Sequence, residues 1–245
     1  MTTHTFPTIP SLQKYVLKRT DKDQAQIEQA AREWVKACAA NKITYECEWF
    51  GVPIIQAPEC LVLMQEVIFK CRPDVLIETG VAHGGSLIFY SSLFELLGAG
   101  HVIGIDIDIR SHNREVIEKH PLFKRITLVE GSSTAPETVA KVRDLAGTAK
   151  NCMVCLDSDH KADHVERELL AYSDFIPPGG YIVVFDTGED FLATEGVRDK
   201  DTYGTGPFSG LMKFLEQDDS FEIDRSFDKL GTSKWFMTFL KKKGA

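Results

Sequence analysis

The sequence predicts an α/β fold: a doubly wound, mostly parallel sheet with an N-terminal helical extension. Two observations support this prediction. Between residues 73 and 187, short apolar runs alternate with segments of helical periodicity, which is typical of βαβ units. The short runs are apolar throughout, as expected when helices cover both faces of a sheet.

The N-terminal part is expected to be an addition to this core. With 245 residues and 43% hydrophobic content, the chain can form one sizeable α/β domain with an extension. We expect residues 1–72 to be a helical and irregular extension packed on the core, and residues 73–245 to be the core. Residues 24–40 are predicted helical with Asp21 or Asp23 as cap, and residues 59–71 are predicted helical by their apolar spacing.

The remaining elements follow from the same patterns. Residues 45–58 contain WFGVPIIQAP, which predicts an irregular lid or subunit contact. The glycine- and acid-rich residues 187–210 are predicted to be a loop covering a site. The predicted core strands are 75–77, 102–105, 126–130, 153–156 and 181–185; the helices are 86–97, 113–119, 136–146, 161–172 and 208–216; a terminal antiparallel pair is 221–224 with 235–240.

Composition argues against several partners and locations. The net charge is −8 and no basic stripe interleaves with aromatic residues, so we expect no nucleic-acid partner. Neither a signal peptide nor a run of ~20 apolar residues is evident, so a cytoplasmic protein without a membrane partner is expected. The six cysteines are scattered and predicted to be reduced. Cys152 and Cys155 should point to opposite faces of a strand, which excludes a redox or zinc pair.

A glycine-rich turn indicates a nucleotide-type cofactor. In LIETGVAHGGS a strand enters a turn and Ser86 opens a helix, and Asp106 ends the next strand, where a carboxylate can hold ribose hydroxyls. Because the glycine spacing is not that of a dinucleotide site, the pattern favours S-adenosylmethionine over NAD. The predicted cofactor-binding residues are Glu78, Gly80, His83, Gly85, Ser86, Asp106, Gly131, Ser132, Ser133 and Asp157.

Acidic residues at two neighbouring strand ends indicate a metal. LDSDH ends one strand and FDT the next, and clustered carboxylates suit a hard cation such as Mg²⁺. The predicted ligands are Asp157, Asp159 and Asp186, where a cation would orient and activate a substrate hydroxyl. The alternative is that Asp157 or Asp159 only caps the following helix.

Two histidines leave a further choice open. His160 and His164 are four residues apart, so they could share a helical face and, with Asp157 or Asp159, imitate an iron site of two histidines and one carboxylate. Alternatively, His160 is a base or substrate contact, or lies in solvent at a helix start.

Across residues 45–187 the chain resembles the cephalosporin hydroxylase or rhamnosyl O-methyltransferase family. The segments that carry this resemblance are WFGVPIIQAP, VLIETGVAHGGSLIFYSS, GHVIGIDIDIR, VEGSS, CLDSDHKADHVERELLAY and GGYIVVFDT. The resemblance implies a class I, Rossmann-like methyltransferase that uses S-adenosylmethionine, with a Mg²⁺ site like that of catechol-type O-methyltransferases. The hydroxylase name does not establish an oxidation.

The resemblance also assigns roles. The family's LDSDH matches residues 156–160, and its Glu-Asp-Thr matches Phe185, Asp186 and Thr187, so a glutamate expected to bind metal is replaced by a phenylalanine. His160 stands where catechol-type enzymes have a lysine base. The implied catalytic residues are therefore His160 and Asp157.

The predicted function is S-adenosylmethionine-dependent methyl transfer to a hydroxyl of a sugar or secondary metabolite, assisted by a divalent cation. The alternatives are an iron-dependent hydroxylase and a cofactor-binding partner subunit whose metal site has decayed. The partner is then a small-molecule acceptor with a hydroxyl group. Trp49 and Phe50, if exposed, indicate a homo-oligomer.

Overall fold

The computed structural model describes residues 19–199 and 205–244. A short hairpin, β1 (Glu48–Trp49) and β2 (Val52–Pro53), precedes the main sheet. The main strands are β3 (Val75–Thr79), β4 (His101–Asp106), β5 (Ile126–Glu130), β6 (Cys152–Leu156), β7 (Tyr181–Phe185), β8 (Phe221–Ile223) and β9 (Met237–Lys242).

The main sheet has the order β5-β4-β3-β6-β7-β9-β8. Its first five strands in this order pair in parallel, and β9 is antiparallel to both β7 and β8. The doubly wound, mostly parallel sheet and the terminal antiparallel pair are therefore confirmed. In this register Thr79 pairs with both Ile105 and Leu156, so the carboxyl ends of the central strands lie at one edge, where such sheets bind ligands.

Helices cover both faces of this sheet. Their bounds are α1 (Asp21–Ala40), α2 (Pro58–Cys71), α3 (Gly85–Leu97), α4 (Ser111–Lys119), α5 (Pro136–Ala146), α6 (Ala162–Tyr172), α7 (Glu189–Thr194), α8 (Pro207–Gln217) and the single turn α9 (Ser233–Phe236).

Two apolar clusters result, one on each face. One joins α2 and α3 to the sheet and contains Cys155; the other joins α6 and α8 to the sheet and contains Cys152. The two cysteines therefore point to opposite faces, as predicted from the strand period. All six cysteines are free thiols in the described chain.

Both predicted helix caps were wrong. Thr20 caps α1 instead of Asp21 or Asp23: its hydroxyl accepts the Asp23 N–H at 3.2 Å, while the Asp23 carboxylate accepts the Thr20 N–H at 2.8 Å. This reciprocal pair is a capping box. At α6 the N-cap is Lys161, with no side-chain cap in the described structure. Neither Asp157 nor Asp159 therefore serves that helix.

Two segments predicted to be irregular are more ordered than expected, and one strand begins later. Residues 45–58 include the β1/β2 hairpin, and residues 187–210 include α7 and the start of α8; residues 200–204 of that predicted loop lie outside the described ranges. Trp235 belongs to α9 and not to a strand. Trp49 is packed edge-on against Phe89 and donates its indole N–H to Ser92, so of the two predicted exposed aromatic residues only Phe50 is exposed.

In the described ranges, no helix combines the length and apolarity needed to cross a membrane.

Candidate active site

The glycine-rich turn is pressed between the N-terminal segment and the end of β6. Gly80 has φ +90°, and a Cβ there would come within 2.0 Å of the Asp157 carbonyl oxygen. A Cβ on Gly85 would lie 2.3 Å from the Pro53 carbonyl oxygen. Only glycine fits these two positions, because both approaches are to backbone atoms.

The Asp106 carboxylate holds this turn in place. One oxygen accepts the N–H groups of Val81 and Ala82 at 2.8 and 3.2 Å, and the other accepts that of Asp108 at 3.2 Å. Asp106 also lines a cavity with Ser132 and Ser133. A carboxylate has about four acceptor sites, so Asp106 can support the turn and still accept a ligand hydroxyl.

Three cavities meet at the carboxyl edge of the sheet. The largest, about 460 Å³, lies between the ends of β3, β4, β5 and β6. A second, about 310 Å³, is enclosed by α1, residues 44–60, α7 and α9. A cleft of about 40 Å³ lies between residues 53–56 and the glycine-rich turn. Ala82 and Asp157 line all three cavities.

Helix α1 is fastened over the second cavity by polar contacts. Arg32 and Lys36 form ion pairs with Glu195, just beyond α7, at 3.0 and 3.4 Å. The Arg32 guanidinium also stacks on the Phe191 ring at 4.6 Å. The N-terminal extension therefore contributes a wall of this cavity.

Three polar side chains cluster where the cavities join. The His160 Nε2 atom lies 3.6 Å from an Asp157 oxygen and 3.2 Å from an Asp186 oxygen. Their potential ligand atoms all lie within 4.8 Å of one another. Asp159 is outside this cluster: its side chain is 45% exposed and pairs with Lys161. The structure thus brings His160, and not Asp159, together with Asp157 and Asp186.

Local backbone geometry places Asp186 in this cluster. Its φ of +53° is left-handed, a conformation that aspartate adopts more readily than most residues. Its N–H donates to the Phe236 carbonyl at 2.7 Å, which fixes the turn after β7. The preceding Phe185 is buried in the core and lines the second cavity, but its ring offers no ligand atom.

The pKa values of His160 and Asp186 are strongly shifted within this cluster. Burial lowers the pKa of His160, but the carboxylates of Asp186 and Asp157 outweigh this and raise that pKa to about 10. Burial raises the pKa of Asp186 to about 7 and outweighs the lowering effect of the nearby His160, while the charges of Asp157 and Glu189 raise this pKa further. In this arrangement His160 is the counter-ion of the two carboxylates, and strong perturbation of this kind is frequent at functional sites.

His164 is separated from His160 and belongs to another network. Its Nε2 atom lies 3.2 Å from the Ser133 hydroxyl, 3.1 Å from the Ser158 hydroxyl and 3.2 Å from the buried carboxylate of Glu168. These contacts tie the loop after β5 to the loop after β6 along the largest cavity. The two histidines therefore do not form the pair that an iron site would need.

Other predicted residues line the turn. Glu78 is fully buried and accepts the Ser86 hydroxyl at 2.6 Å, and burial raises its pKa well above the usual range. His83 lines the cleft with its ring 3.4 Å from Asn113. Gly131 has φ +149° and lies against Thr138.

Gln56 was missed in the sequence, although it lines both the cleft and the second cavity. Its only sequence signal was its place in the proline-rich segment.

The residues present fit both the cofactor and the divalent cation that the sequence predicts. Both polar atoms of the buried Gln56 amide, which lines two of the cavities, make no hydrogen bond to any described residue, and such atoms normally mark a missing partner. Two carboxylates and an imidazole form a donor set able to hold a divalent cation.

The parallel sheet, the glycine-rich turn and the acidic strand ends together define a class I methyltransferase fold. The sequence profile of the family described as "Rhamnosyl O-methyltransferase/CmcI" matches residues 41–243, so the chain belongs to this family. Membership supports an S-adenosylmethionine-dependent O-methyltransferase and an enzyme in place of a decayed subunit, and it does not favour the iron-dependent hydroxylase.

Individual relatives are distant. A rhamnosyl O-methyltransferase of Mycobacterium leprae is 24% identical over 210 residues, covering 85% of this chain and 86% of the relative. A structure of CmcI with Mg and S-adenosylmethionine has a TM-score of 0.58 at 17% identity, covering 82% of this chain and 78% of that one. An O-methyltransferase from Bacillus cereus in complex with S-adenosylhomocysteine has a TM-score of 0.54 at 14% identity and 94% coverage of both chains. The two structures establish the fold.

Proposed function

We propose that this site transfers the methyl group of S-adenosylmethionine to a hydroxyl of a sugar or secondary metabolite. The observation that supports this is the meeting of three cavities at Ala82 and Asp157. A nucleoside, an amino-acid group and an acceptor each need a separate compartment around one reacting centre. Holding two reactants in one geometry supplies a large part of the catalysis of such a transfer.

The cofactor-binding roles follow from the compartments. The largest cavity suits the nucleoside, with Asp106 accepting ribose hydroxyls and Ser132 and Ser133 bordering the base. The cleft suits the amino-acid end, bordered by His83, Gly85 and Ser86. Gly80 and Asp157 line both compartments, while Glu78 supports Ser86 from behind.

The acceptor compartment is the cavity beneath α1. Asp157 and Asp186 would hold a divalent cation such as Mg²⁺, with His160 beside them. When bound, S-adenosylmethionine supplies an electrophilic methyl group and the cation lowers the pKa of an acceptor hydroxyl. With Asp157 and Asp186 engaged by a cation, His160 would lose the proton that these carboxylates stabilise, and its Nε2 atom would then accept the hydroxyl proton. The packed N-terminal extension would exclude water. We place this extension in residues 1–72 and the methyltransferase core in residues 73–245.

Two further parts of the proposal concern the whole protein. One part is a homo-oligomer, in which the exposed ring of Phe50, 69% accessible, would lie at a subunit contact. A cytoplasmic location is consistent with the free thiols, since disulfides form mainly in oxidising compartments. Light scattering of the purified protein measures the oligomeric state.

The test is methyl transfer from labelled S-adenosylmethionine to a panel of hydroxylated sugars and phenols, with Mg²⁺ or Mn²⁺ added after chelation. We expect Asp186→Asn to weaken Mn²⁺ binding by about tenfold or more in calorimetry, because a hard cation loses an anionic ligand. The matched control Asp159→Asn should bind Mn²⁺ like the wild type, since Asp159 lies outside the cluster. Absence of S-adenosylmethionine binding, or equal effects of both variants, would contradict this assignment.

A further inference from the structure

Gln56 carries a buried amide that the protein leaves unsatisfied. The residue is only 5% exposed, and neither Nε2 nor Oε1 has a hydrogen-bond partner within the described chain. A buried polar group without a partner is costly, because it gives up its hydrogen bonds to water and gains none in return. Native structures contain few such groups, and those that persist need a reason.

The position of this amide suggests that reason. Gln56 follows β2 and lines both the small cleft and the cavity beneath α1. Behind it lies the buried Tyr90: burial raises the pKa of its hydroxyl, the Glu78 charge raises it further, and a side-chain interaction with Gln56 opposes this rise. The Tyr90 hydroxyl thus approaches the Gln56 amide, but without the geometry of a hydrogen bond. The Tyr90 hydroxyl and one Glu78 oxygen also lack hydrogen-bond partners in the part of the chain that is described. Of these three residues only Gln56 lines the cleft, so its amide is the unsatisfied group that a ligand in the cleft could reach.

The opposite wall of the cleft is the start of α3. This helix runs from Gly85 to Leu97 and has Gly84 at its N-cap, which provides no side-chain cap. The first N–H groups of a helix lack internal partners and attract anions. The cleft of about 40 Å³ has room for a small polar group and not for a ring.

We propose that Gln56 is a specificity-determining residue for the amino-acid end of the cofactor, its amide donating Nε2–H to the carboxylate and offering Oε1 to the ammonium group. An amide combines a donor with an acceptor, which matches a zwitterion. The first turn of α3 provides further donors for the carboxylate. This inference rests on the proposed use of S-adenosylmethionine.

Two ligands that differ only in the amino-acid part test the proposal. S-adenosylhomocysteine contains it, whereas 5′-methylthioadenosine keeps the nucleoside and lacks it. We expect Gln56→Met, which is close in shape, to weaken S-adenosylhomocysteine about tenfold in calorimetry, the loss typical of a hydrogen bond to a charged group. Binding of 5′-methylthioadenosine should change by no more than about twofold, which corresponds to about 0.4 kcal/mol, because this ligand lacks the group that Gln56 would contact. Gln56→Glu should weaken S-adenosylhomocysteine further by repelling its carboxylate.

Controls separate this role from a structural one. Gln65→Met alters an exposed glutamine of α2 and should change neither affinity. Because Gln56→Met removes an unsatisfied buried amide, it should not lower the thermal midpoint of the ligand-free protein. Equal losses for the two ligands, or unchanged binding of both with a raised KM for the acceptor, would overturn the proposal. If the wild type binds neither ligand, the proposed function itself fails.

Discussion

Phe185 occupies the position at which the family resemblance implies a metal-binding glutamate. Its ring is 3% exposed and packs in the core cluster of α2 and α3, yet it also lines the cavity that contains Asp157 and Asp186. A carboxylate there would reach the cluster. In the present site the imidazole of His160 lies between the carboxylates of Asp157 and Asp186 instead. The imidazole therefore fills space that would be open to a cation if position 185 supplied the third ligand.

Phe185→Glu should therefore make the protein dependent on a cation. In chelator the variant should unfold at a lower temperature than the wild type, because a buried unpaired charge costs several kcal/mol. With Mg²⁺ it should recover, and its calorimetric Mg²⁺ affinity should exceed that of the wild type by about tenfold or more. The control Phe185→Leu keeps an apolar side chain and should not tighten binding. Identical Mg²⁺ affinities for wild type and Phe185→Glu would show that position 185 does not reach the site.

Between elements, the network around His164 joins two strand-end loops and helix α6. Ser133 follows β5 and Ser158 follows β6, and the Ser158 hydroxyl donates to the buried Glu168 at 2.7 Å. The Tyr172 hydroxyl adds a bond to the Ser133 carbonyl at 2.8 Å. These contacts set the separation of the loops that border the largest cavity, so under the proposed function the network would act on the nucleoside compartment and not on the cation site.

His164→Leu should weaken S-adenosylhomocysteine and 5′-methylthioadenosine by the same factor, in contrast to the selective effect expected at Gln56. It leaves Glu168 with one partner fewer, so a stability loss of about 1–3 kcal/mol should accompany it. His164→Gln places an amide nitrogen near the position of Nε2 and should restore both affinities. Calorimetry with both ligands measures this. Normal binding by His164→Leu would reduce the network to a purely structural role.

At the scale of the whole molecule, the strand period and the apolar runs sufficed to predict the parallel sheet, because burial on both faces dominates the choice of residues there. The predicted bounds of β5, β7 and α5 match those observed. The cluster of Asp157, His160 and Asp186 was harder to predict, since Asp159 and His160 are neighbours in sequence and only the path of the chain after β6 decides which of them lies beside Asp157 and Asp186. Gln56 could not be found from local patterns, because its burial depends on the packing of the N-terminal segment against α3.

Of the two apolar clusters, the one that packs α6 and α8 on the sheet allows stability to be tested separately from ligand binding. Phe214 of α8 is fully buried and meets the Phe221 ring edge-on at 5.6 Å, on the face that packs α6 and α8. It lines none of the three cavities at the strand ends. A truncation here should therefore weaken the fold without altering the cofactor compartments.

Phe214→Ala should lower the free energy of unfolding by about 3–5 kcal/mol, the usual cost of removing a buried ring and leaving a cavity. The exposed Leu96, at 66% accessibility, provides the control, and Leu96→Ala should change stability by no more than about 0.5 kcal/mol. Denaturant unfolding measures both variants, and calorimetry of the folded fraction should give the wild-type affinity for S-adenosylhomocysteine in each. A much weaker affinity in folded Phe214→Ala would mean that the α6 and α8 face transmits strain to the strand ends, so that stability and binding are coupled in this fold.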